Sequence, residues 1–245
     1  MITATLSLEE QSLWYGYKRA VWNHQTEQTN TIHNIMRVLR AIRQVGDLAY
    51  VSVPITSGRY LYDLRITRPH LDEVTRIELA IKHNYREGWQ FVKALKGRLA
   101  CPILYPADLI PVHQEWEQVH FQALWLSIIA EKCKQVHMGR GWEYSNGGCE
   151  EFTHVMQLRL GVPRDPDGQL IFFNTKEEEV HERERMRSIE VFDHLGSRLT
   201  IDDGIRRIER ALQWIQRSGF EAPKIERCLA LLKETLAMLE VGFYQ

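Results

Sequence analysis

Apolar and polar positions along the chain change period several times, and each change marks a predicted element. Residues 8–45 carry apolar positions at helical spacing and open with a capping box from Ser7 to Glu10, which predicts two helices. The run 48–54 is apolar and β-branched and ends in proline, which predicts a buried strand leading into a loop. Helical spacing then returns.

The alternation of strand and helix continues to residue 174. Helices are predicted over Asp72–Lys96, 115–131 and Gly148–Leu160, and strands over Leu99–Tyr105, Cys133–Met138 and Gln169–Phe173. Such alternation favours a parallel sheet with its ligand site at the carboxyl ends of the strands. We therefore expect an α/β fold with a doubly wound, mostly parallel, flavodoxin-like sheet. The loops after Pro54, after Tyr105 and around Trp142 would share one rim.

Three segments follow from this pattern. Residues 1–46 form an N-terminal helical extension, 47–174 the α/β domain and 175–245 a C-terminal helical region. The last region opens with a highly charged helix, Lys176–Leu195, and continues with two amphipathic helices. Apolar residues of the final helix keep an alternating four-three spacing, which is typical of a helical hairpin or of a coiled coil between subunits. They are Ile225, Leu229, Leu232, Leu236 and Leu239.

Composition excludes several classes of function. A formal net charge of −1 and the absence of basic runs argue against long nucleic acids as partners. Four isolated cysteines indicate free thiols in a reducing compartment, and no segment is apolar enough for a membrane span or shaped like a signal peptide. We therefore expect a cytoplasmic protein. The histidines do not fall at zinc-ligand spacing, so we predict no metal and no cofactor.

The segment from Gly139 to Glu151 crowds glycines and small polar residues between a strand and a helix. Glycines allow close approach of a ligand to the backbone, and the free NH groups of the following helix favour an anion. Ser145 adds a hydroxyl to this predicted phosphate or sugar site. Alternatively, the segment is a glycine-rich turn that only reverses the chain.

Helical geometry separates the two carboxylates that follow. Glu150 shares a face with polar residues, whereas Glu151 shares one with Val155 and Leu158 and therefore points toward the packed side of its helix. The helix dipole would hold such a carboxylate ionised, as a nucleophile requires. An ordinary acidic residue in a first turn remains the alternative. Cys149 is either an acidified thiol or a buried filler.

Two motifs resemble the nucleoside 2-deoxyribosyltransferase family and the related 2-deoxynucleoside 5-phosphate N-hydrolases. Trp142, Ser145, Gly147 and Glu151 match the pattern W-x-x-S-x-G-x-x-x-E, and the first strand, 50–56, resembles the family's Y-[IV]-[SA]-G-P-[IM]-T. The similarity spans residues 48 to 165.

The resemblance implies that Glu151 attacks the anomeric carbon of a nucleoside or nucleotide, or stabilises its oxocarbenium-like transition state, while Tyr50 orients it. Ser145 and Gly147 would hold the 5-hydroxyl or 5-phosphate. Relatives are dimers or larger, so we expect a homo-oligomer. Further expected substrate contacts are Trp142, Ser52, Pro54 and Gly148.

Two positions depart from the family's pattern. Val53 replaces the glycine before the first-strand proline, which leaves less room for a ligand. Lys134 replaces an aspartate that helps to hold or protonate the leaving base in the family. His137 is a candidate proton donor in its place, and Lys134 a candidate base contact. Arg59 and Arg140 are candidates for a phosphate or for a solvated surface. These departures favour a second hypothesis, a non-catalytic nucleotide sensor or interaction module on the same fold.

Overall fold

The chain forms an α/β fold around a parallel sheet. The structure, a computed structural model, describes residues 48–108, 118–161, 180 and 184–240. The predicted N-terminal helices and the predicted strand Gln169–Phe173 lie outside these residues. Within them, no helix is both long and apolar enough to cross a membrane.

Four short strands make up the sheet in the described residues. They are β1 (Leu48–Ser52), β2 (Ile103–Leu104), β3 (Cys133–Met138) and β4 (Glu190–Phe192). All neighbours are parallel, and the spatial order is β2-β1-β3-β4. The chain thus places β2 on one side of β1 and then β3 on the other side. The carboxyl ends of β1 and β3, where this reversal occurs, form the natural place for a ligand crevice.

Helices cover the sheet. They are α1 (Arg59–Thr67), α2 (Glu73–Lys96), α3 (Gln118–Lys132), α4 (Asn146–Arg159), α5 (Ile201–Arg217) and α6 (Pro223–Glu240). Capping fixes two of their starts: Asp72 accepts from the Thr75 amide at 2.9 Å, and Thr200 and Asp203 form a capping box.

The alternation of side chains along β1 produces two cores. Tyr50 belongs to a large cluster with Val136 of β3 and with α3 to α6. Val51 points the other way, into a smaller cluster with Val92 and Leu95 of α2. Because a strand sends successive side chains to opposite faces, each face of the sheet has its own helical cover.

The fourth strand corrects the prediction for the C-terminal region. Glu190–Phe192 pairs with β3, although the charged pattern predicted a helix over Lys176–Leu195 and an end of the sheet before residue 175. Val191 is fully buried there. The strand is three residues long, so the charged residues on either side dominated the pattern. A second difference is α1, a helix that no pattern in the sequence predicted.

The two C-terminal amphipathic helices form an intramolecular hairpin. Ile225 and Leu232 of α6 are fully buried, and Leu229 and Leu236 pack against the same cluster as α4. This hairpin encloses α4, whose polar stripe was not expected to be buried. His154 and Gln157 are only 6% and 4% exposed, and Gln157 donates to Thr235 of α6 at 3.5 Å. The described seam therefore serves packing within one chain.

Gly204→Ala should destabilise the protein by about 2 kcal/mol, because overpacking a filled core forces side chains off their rotamers. A Cβ at Gly204 would overlap the ring of Phe152, which is fully buried and stacks on Trp142. Chemical denaturation measures the change. Gly97→Ala is the matched control, since its Cβ would meet only an ordinary contact at 3.7 Å. Equal stability of the two variants would contradict the described packing of α5 on α4.

Candidate active site at the carboxyl ends of the central strands

Two loops meet where the chain order reverses. The Gly139 amide, just after β3, donates to the carbonyl of Ser52 at the end of β1, at 2.7 Å. Asn84 of α2 donates to the carbonyls of Ile55 and Ser57 at 3.0 and 2.9 Å, which fixes the loop after β1. The rim predicted from the strand ends is therefore present for these two loops, and it is held by hydrogen bonds.

A buried carboxylate and phenol form the centre of the candidate site. The Tyr50 hydroxyl donates to Glu151 Oε1 at 2.6 Å, and the two residues are 101 positions apart in the chain. Glu151 is 7% exposed and Tyr50 is fully buried. Charged-group hydrogen bonds of this length are among the strong ones. The inward orientation expected from helical spacing, and the closeness of Tyr50, are both observed.

Burial governs the ionisation of this pair. It raises the pKa of Glu151 to about 7, against the influence of Ser52 and Tyr50, which lower it, while Glu150 adds to the rise. The Ser52 hydroxyl is buried nearby but makes no hydrogen bond of good geometry within the described residues. Burial, with the Glu151 charge, also raises the pKa of Tyr50 well above 10, so Tyr50 stays a donor. Glu151 is therefore only about half ionised at neutral pH, unlike the fully ionised group expected from the helix dipole alone.

Ser145 links the two loops. Its hydroxyl caps α4 by accepting from the Gly148 amide at 3.4 Å and lies 3.1 Å from the Ser57 hydroxyl. Ser145 is only 4% exposed. It thus holds the first turn of α4, and with it Glu151, against the loop after β1. Its predicted contact with a substrate stays a prediction.

The other residues predicted to contact a substrate fall into two groups: some pack in the core, and others are exposed or line a cleft. Trp142 is 1% exposed and stacks on Phe152, with ring centroids 4.6 Å apart. Gly148 lies against it, since a Cβ there would come within 2.7 Å of the Trp142 carbonyl oxygen. Both residues therefore pack the core. Gly147 is partly exposed in the first turn of α4, and Pro54 lines a cleft.

This cleft has a volume of about 460 Å³ and opens at the same edge of the sheet. It lies between α1, α2 and the loop after β3. Its wall includes Tyr60, Asn84, Gly139, Arg140, Glu143 and His194. Glu151 and Tyr50 are not part of this wall. The Glu151 carboxylate and the cleft therefore share no surface in the described residues.

Arg59 is held rigidly on the cleft wall. Its guanidinium stacks on the ring of Trp214 from α5, 3.5 Å from the ring centroid, and donates to Asp63 and to the Tyr144 hydroxyl at 3.0 and 3.2 Å. Stacking and two hydrogen bonds fix a planar guanidinium better than charge alone. The sequence indicates Arg59 as a candidate but not this clamp, because Trp214 is distant in the chain.

Neither of the two residues predicted to donate a proton to the leaving base or to contact it lies beside the Glu151 carboxylate. His137 pairs in register with Val51 and therefore lies on the α2 face of the sheet, opposite Tyr50. Burial lowers its pKa to about 4, so it is neutral. Lys134 lies exposed near the amino end of β3, away from the rim. The strand register thus places His137 on the face opposite Tyr50, and the predicted roles of His137 and Lys134 toward the base stay predictions.

Val53 fills the space that a glycine would leave open. A Cβ at Gly139 would lie 2.6 Å from one Val53 methyl, and one at Gly88 would lie 3.2 Å from the other. The side chain is therefore wedged between α2 and the loop after β3. The expected loss of room at this loop is observed.

The remaining candidates add no site. Cys149 is fully buried, and burial raises its pKa well above 9, which fits a packing role rather than an acidified thiol. Among the described residues, no group of three or more His, Cys, Asp or Glu side chains is placed to hold a metal ion.

Comparison with known proteins gives no relative. No protein-family model, curated protein or solved structure matches this chain. The resemblance to deoxyribosyltransferases therefore rests on the two motifs alone. The structure brings one residue of each motif, Tyr50 and Glu151, together in one hydrogen bond.

Proposed function

We propose that the protein cleaves the N-glycosidic bond of a nucleoside or nucleotide, as a hydrolase or as a deoxyribosyltransferase, with Glu151 as the nucleophile. The observation that carries this proposal is the 2.6 Å hydrogen bond from Tyr50 to a carboxylate buried at the end of the central strand. An isolated carboxylate is expensive to bury. Perturbed carboxylates in such positions are concentrated at functional sites.

The proposed reaction uses the carboxylate as other glycosidases do. Glu151 attacks the anomeric carbon, the bond from that carbon to the base nitrogen breaks, and a covalent glycosyl-enzyme forms. Water or a second base then releases the sugar. Tyr50 keeps one oxygen of Glu151 engaged, so that the other oxygen is oriented for attack. Ser145 and Gly147, at the start of α4, would hold the 5-hydroxyl or 5-phosphate.

Several broader features belong to the same proposal. The strand order β2-β1-β3-β4 supports a flavodoxin-like, doubly wound topology. A cytoplasmic homo-oligomer acting on a small nucleoside or nucleotide, without a cofactor, fits the composition and the free cysteines.

A second candidate is a nucleotide sensor that binds without cleavage. Two observations favour it: Val53 is wedged at the rim, and Glu151 is not part of the cleft wall. In this alternative the cleft binds the ligand, and α5, which contacts Arg59 through Trp214, transmits the change.

A substrate panel distinguishes the two candidates. The full chain is incubated with deoxynucleosides, ribonucleosides and their 5-monophosphates, and free base is followed by chromatography. Calorimetric titration with the same compounds measures binding. Release of base supports the enzyme. Binding without release from any compound supports the sensor and overturns the glycosidase.

The acid side of the pH profile should report Glu151. Because only the ionised carboxylate attacks, kcat/KM should fall about tenfold per pH unit below the pKa of about 7. Tyr50→Phe removes a hydrogen bond that lowers this pKa, so its acid limb should move to higher pH. Rate measurements between pH 5 and pH 9 check both expectations. An unchanged limb in Tyr50→Phe would separate Tyr50 from the reacting carboxylate.

A further inference from the structure

Ser52 carries a buried hydroxyl that has no hydrogen-bond partner in the described part of the chain. The residue ends β1 and is 1% exposed. Buried polar atoms are nearly always paired, so an unpaired one at a candidate site needs an explanation. Such low exposure leaves the hydroxyl little surface to offer a substrate, which is the contact that the resemblance implies. A role inside the protein is therefore the better explanation.

The strand directs this hydroxyl toward the side of the sheet that holds Glu151. Val51 packs in the small core against α2, so Tyr50 and Ser52 on either side of it both point to the opposite face. From that face Tyr50 donates to Glu151 at 2.6 Å. The backbone of Ser52 is fixed as well, since its carbonyl accepts from the Gly139 amide at 2.7 Å. Rotation of the side chain is thus the freedom that remains to the hydroxyl.

The groups around Glu151 differ in their effect on its carboxyl. Burial raises the pKa of Glu151 to about 7, and Ser52 opposes this rise more strongly than Tyr50 does. Glu150 of α4 adds to the rise, and Cys133 of β3 acts on Tyr50. These are the ionisable groups that face the pair within the described residues. The neutral hydroxyl of Ser52 is therefore the main group that favours an ionised Glu151.

A hydroxyl suits this position because it can both donate and accept a hydrogen bond. It can accept the proton of a protonated Glu151, and it can donate to the ionised carboxylate. The second bond is the stronger, since a hydrogen bond to an ionised group is roughly twice as strong as a neutral one. A hydroxyl that rotates from one arrangement to the other thus favours ionisation.

We propose that Ser52 is a positioning residue, whose hydroxyl turns to Glu151 and donates to it when the carboxylate forms. Ser52 and Tyr50 then hold the ionised nucleophile from the same strand. Ser52 thereby acts through Glu151 and not on the substrate. Its part in catalysis rests on the proposed glycosidase function, whereas its effect on the carboxyl group does not.

Titration of Glu151 in the variant Ser52→Ala tests this role without any substrate. In protein labelled with carbon-13 at the glutamate side-chain carboxyl, the Glu151 signal is identified by its absence from Glu151→Gln. The titration midpoint of this signal should rise by about one pH unit in Ser52→Ala and stay near its original value in Ser52→Thr, which keeps the hydroxyl. Thr153→Val removes another buried hydroxyl, from the helix of Glu151, and is the matched control. Thermal unfolding of each variant checks folding.

Kinetics extend the test to the reaction. With the best substrate of the panel, kcat/KM of Ser52→Ala should fall about fivefold at pH 7 and recover at pH 9.5, because the carboxylate still forms at the higher pH. A merely structural role would lower the rate at both pH values.

The results separate the role of Ser52 from the glycosidase activity. An unmoved titration midpoint in Ser52→Ala overturns the proposal, and a raised KM with an unmoved midpoint would make Ser52 a substrate contact instead. A raised midpoint in a protein that releases no base supports the effect on Glu151 and overturns the glycosidase alone. An equal rise in Thr153→Val would mean that the loss of any buried hydroxyl near α4 perturbs Glu151, and would overturn the role of Ser52.

Discussion

Glu151→Gln is expected to lower the rate of base release by at least about 10³-fold, because an amide cannot form the glycosyl-enzyme. The change preserves size and leaves Tyr50 a carbonyl oxygen to donate to, so the hydrogen bond at the end of β1 can persist. The loss should therefore appear in kcat rather than in KM. Single-turnover kinetics with the best substrate of the panel measure it.

Glu150→Gln is the control for this loss. Glu150 precedes Glu151 in the same helix turn and is a half-buried carboxyl whose pKa burial also raises, but Tyr50 donates only to Glu151. Its amide variant should retain kcat within about threefold, since the change preserves size and leaves the hydrogen bond from Tyr50 to Glu151 in place. Comparable losses in both variants would mean that charge in this turn, rather than a nucleophile, supports the reaction.

The orientation of Glu151 was predictable because it depends only on local geometry. Residues three, four and seven positions apart share a helix face, and Val155 and Leu158 on that face are buried in the core. Its partner was predictable only through the resemblance. The bond between Tyr50 and Glu151 joins groups 101 positions apart, and no periodicity specifies such a pair.

The errors arise where strand register or distant packing decides. β3 was predicted with its observed bounds, yet the face of His137 depends on its pairing with Val51, which the pattern of one strand does not specify. The polar stripe of α4 is buried because α6 covers it, and Thr235 gives Gln157 a partner. Periodicity indicates which side of a helix is apolar, but not what covers the polar side.

The clamp on Arg59 was missed for a related reason. Arg59 gains its fixed position from Trp214, which belongs to a helix beyond the region of resemblance. The site thus depends on the C-terminal hairpin, although the two motifs that predicted it lie entirely before residue 152.

Burial of Glu151 also has a consequence for stability, because its folded pKa of about 7 lies above the ordinary value of 4.5. A group whose pKa is raised on folding contributes to the free energy of unfolding. This contribution is fully present below the unfolded pKa and is lost as pH rises through the folded pKa. Between pH 4.5 and pH 7 the protein should therefore lose roughly 3 kcal/mol from this one residue, at about 1.4 kcal/mol per pKa unit.

Glu151→Gln should accordingly be more stable than the unmodified protein by about 3 kcal/mol at pH 8, and by about 1 kcal/mol or less at pH 5. Buried His137 and His154, with pKa values lowered to about 4, weaken the fold in acid but do so equally in both proteins, so their effect cancels in the difference. Urea unfolding at the two pH values measures it. A variant that is inactive yet more stable at pH 8 would identify Glu151 as a carboxylate that activity requires although it destabilises the fold. A variant less stable at both pH values would instead make the bond to Tyr50 a structural support.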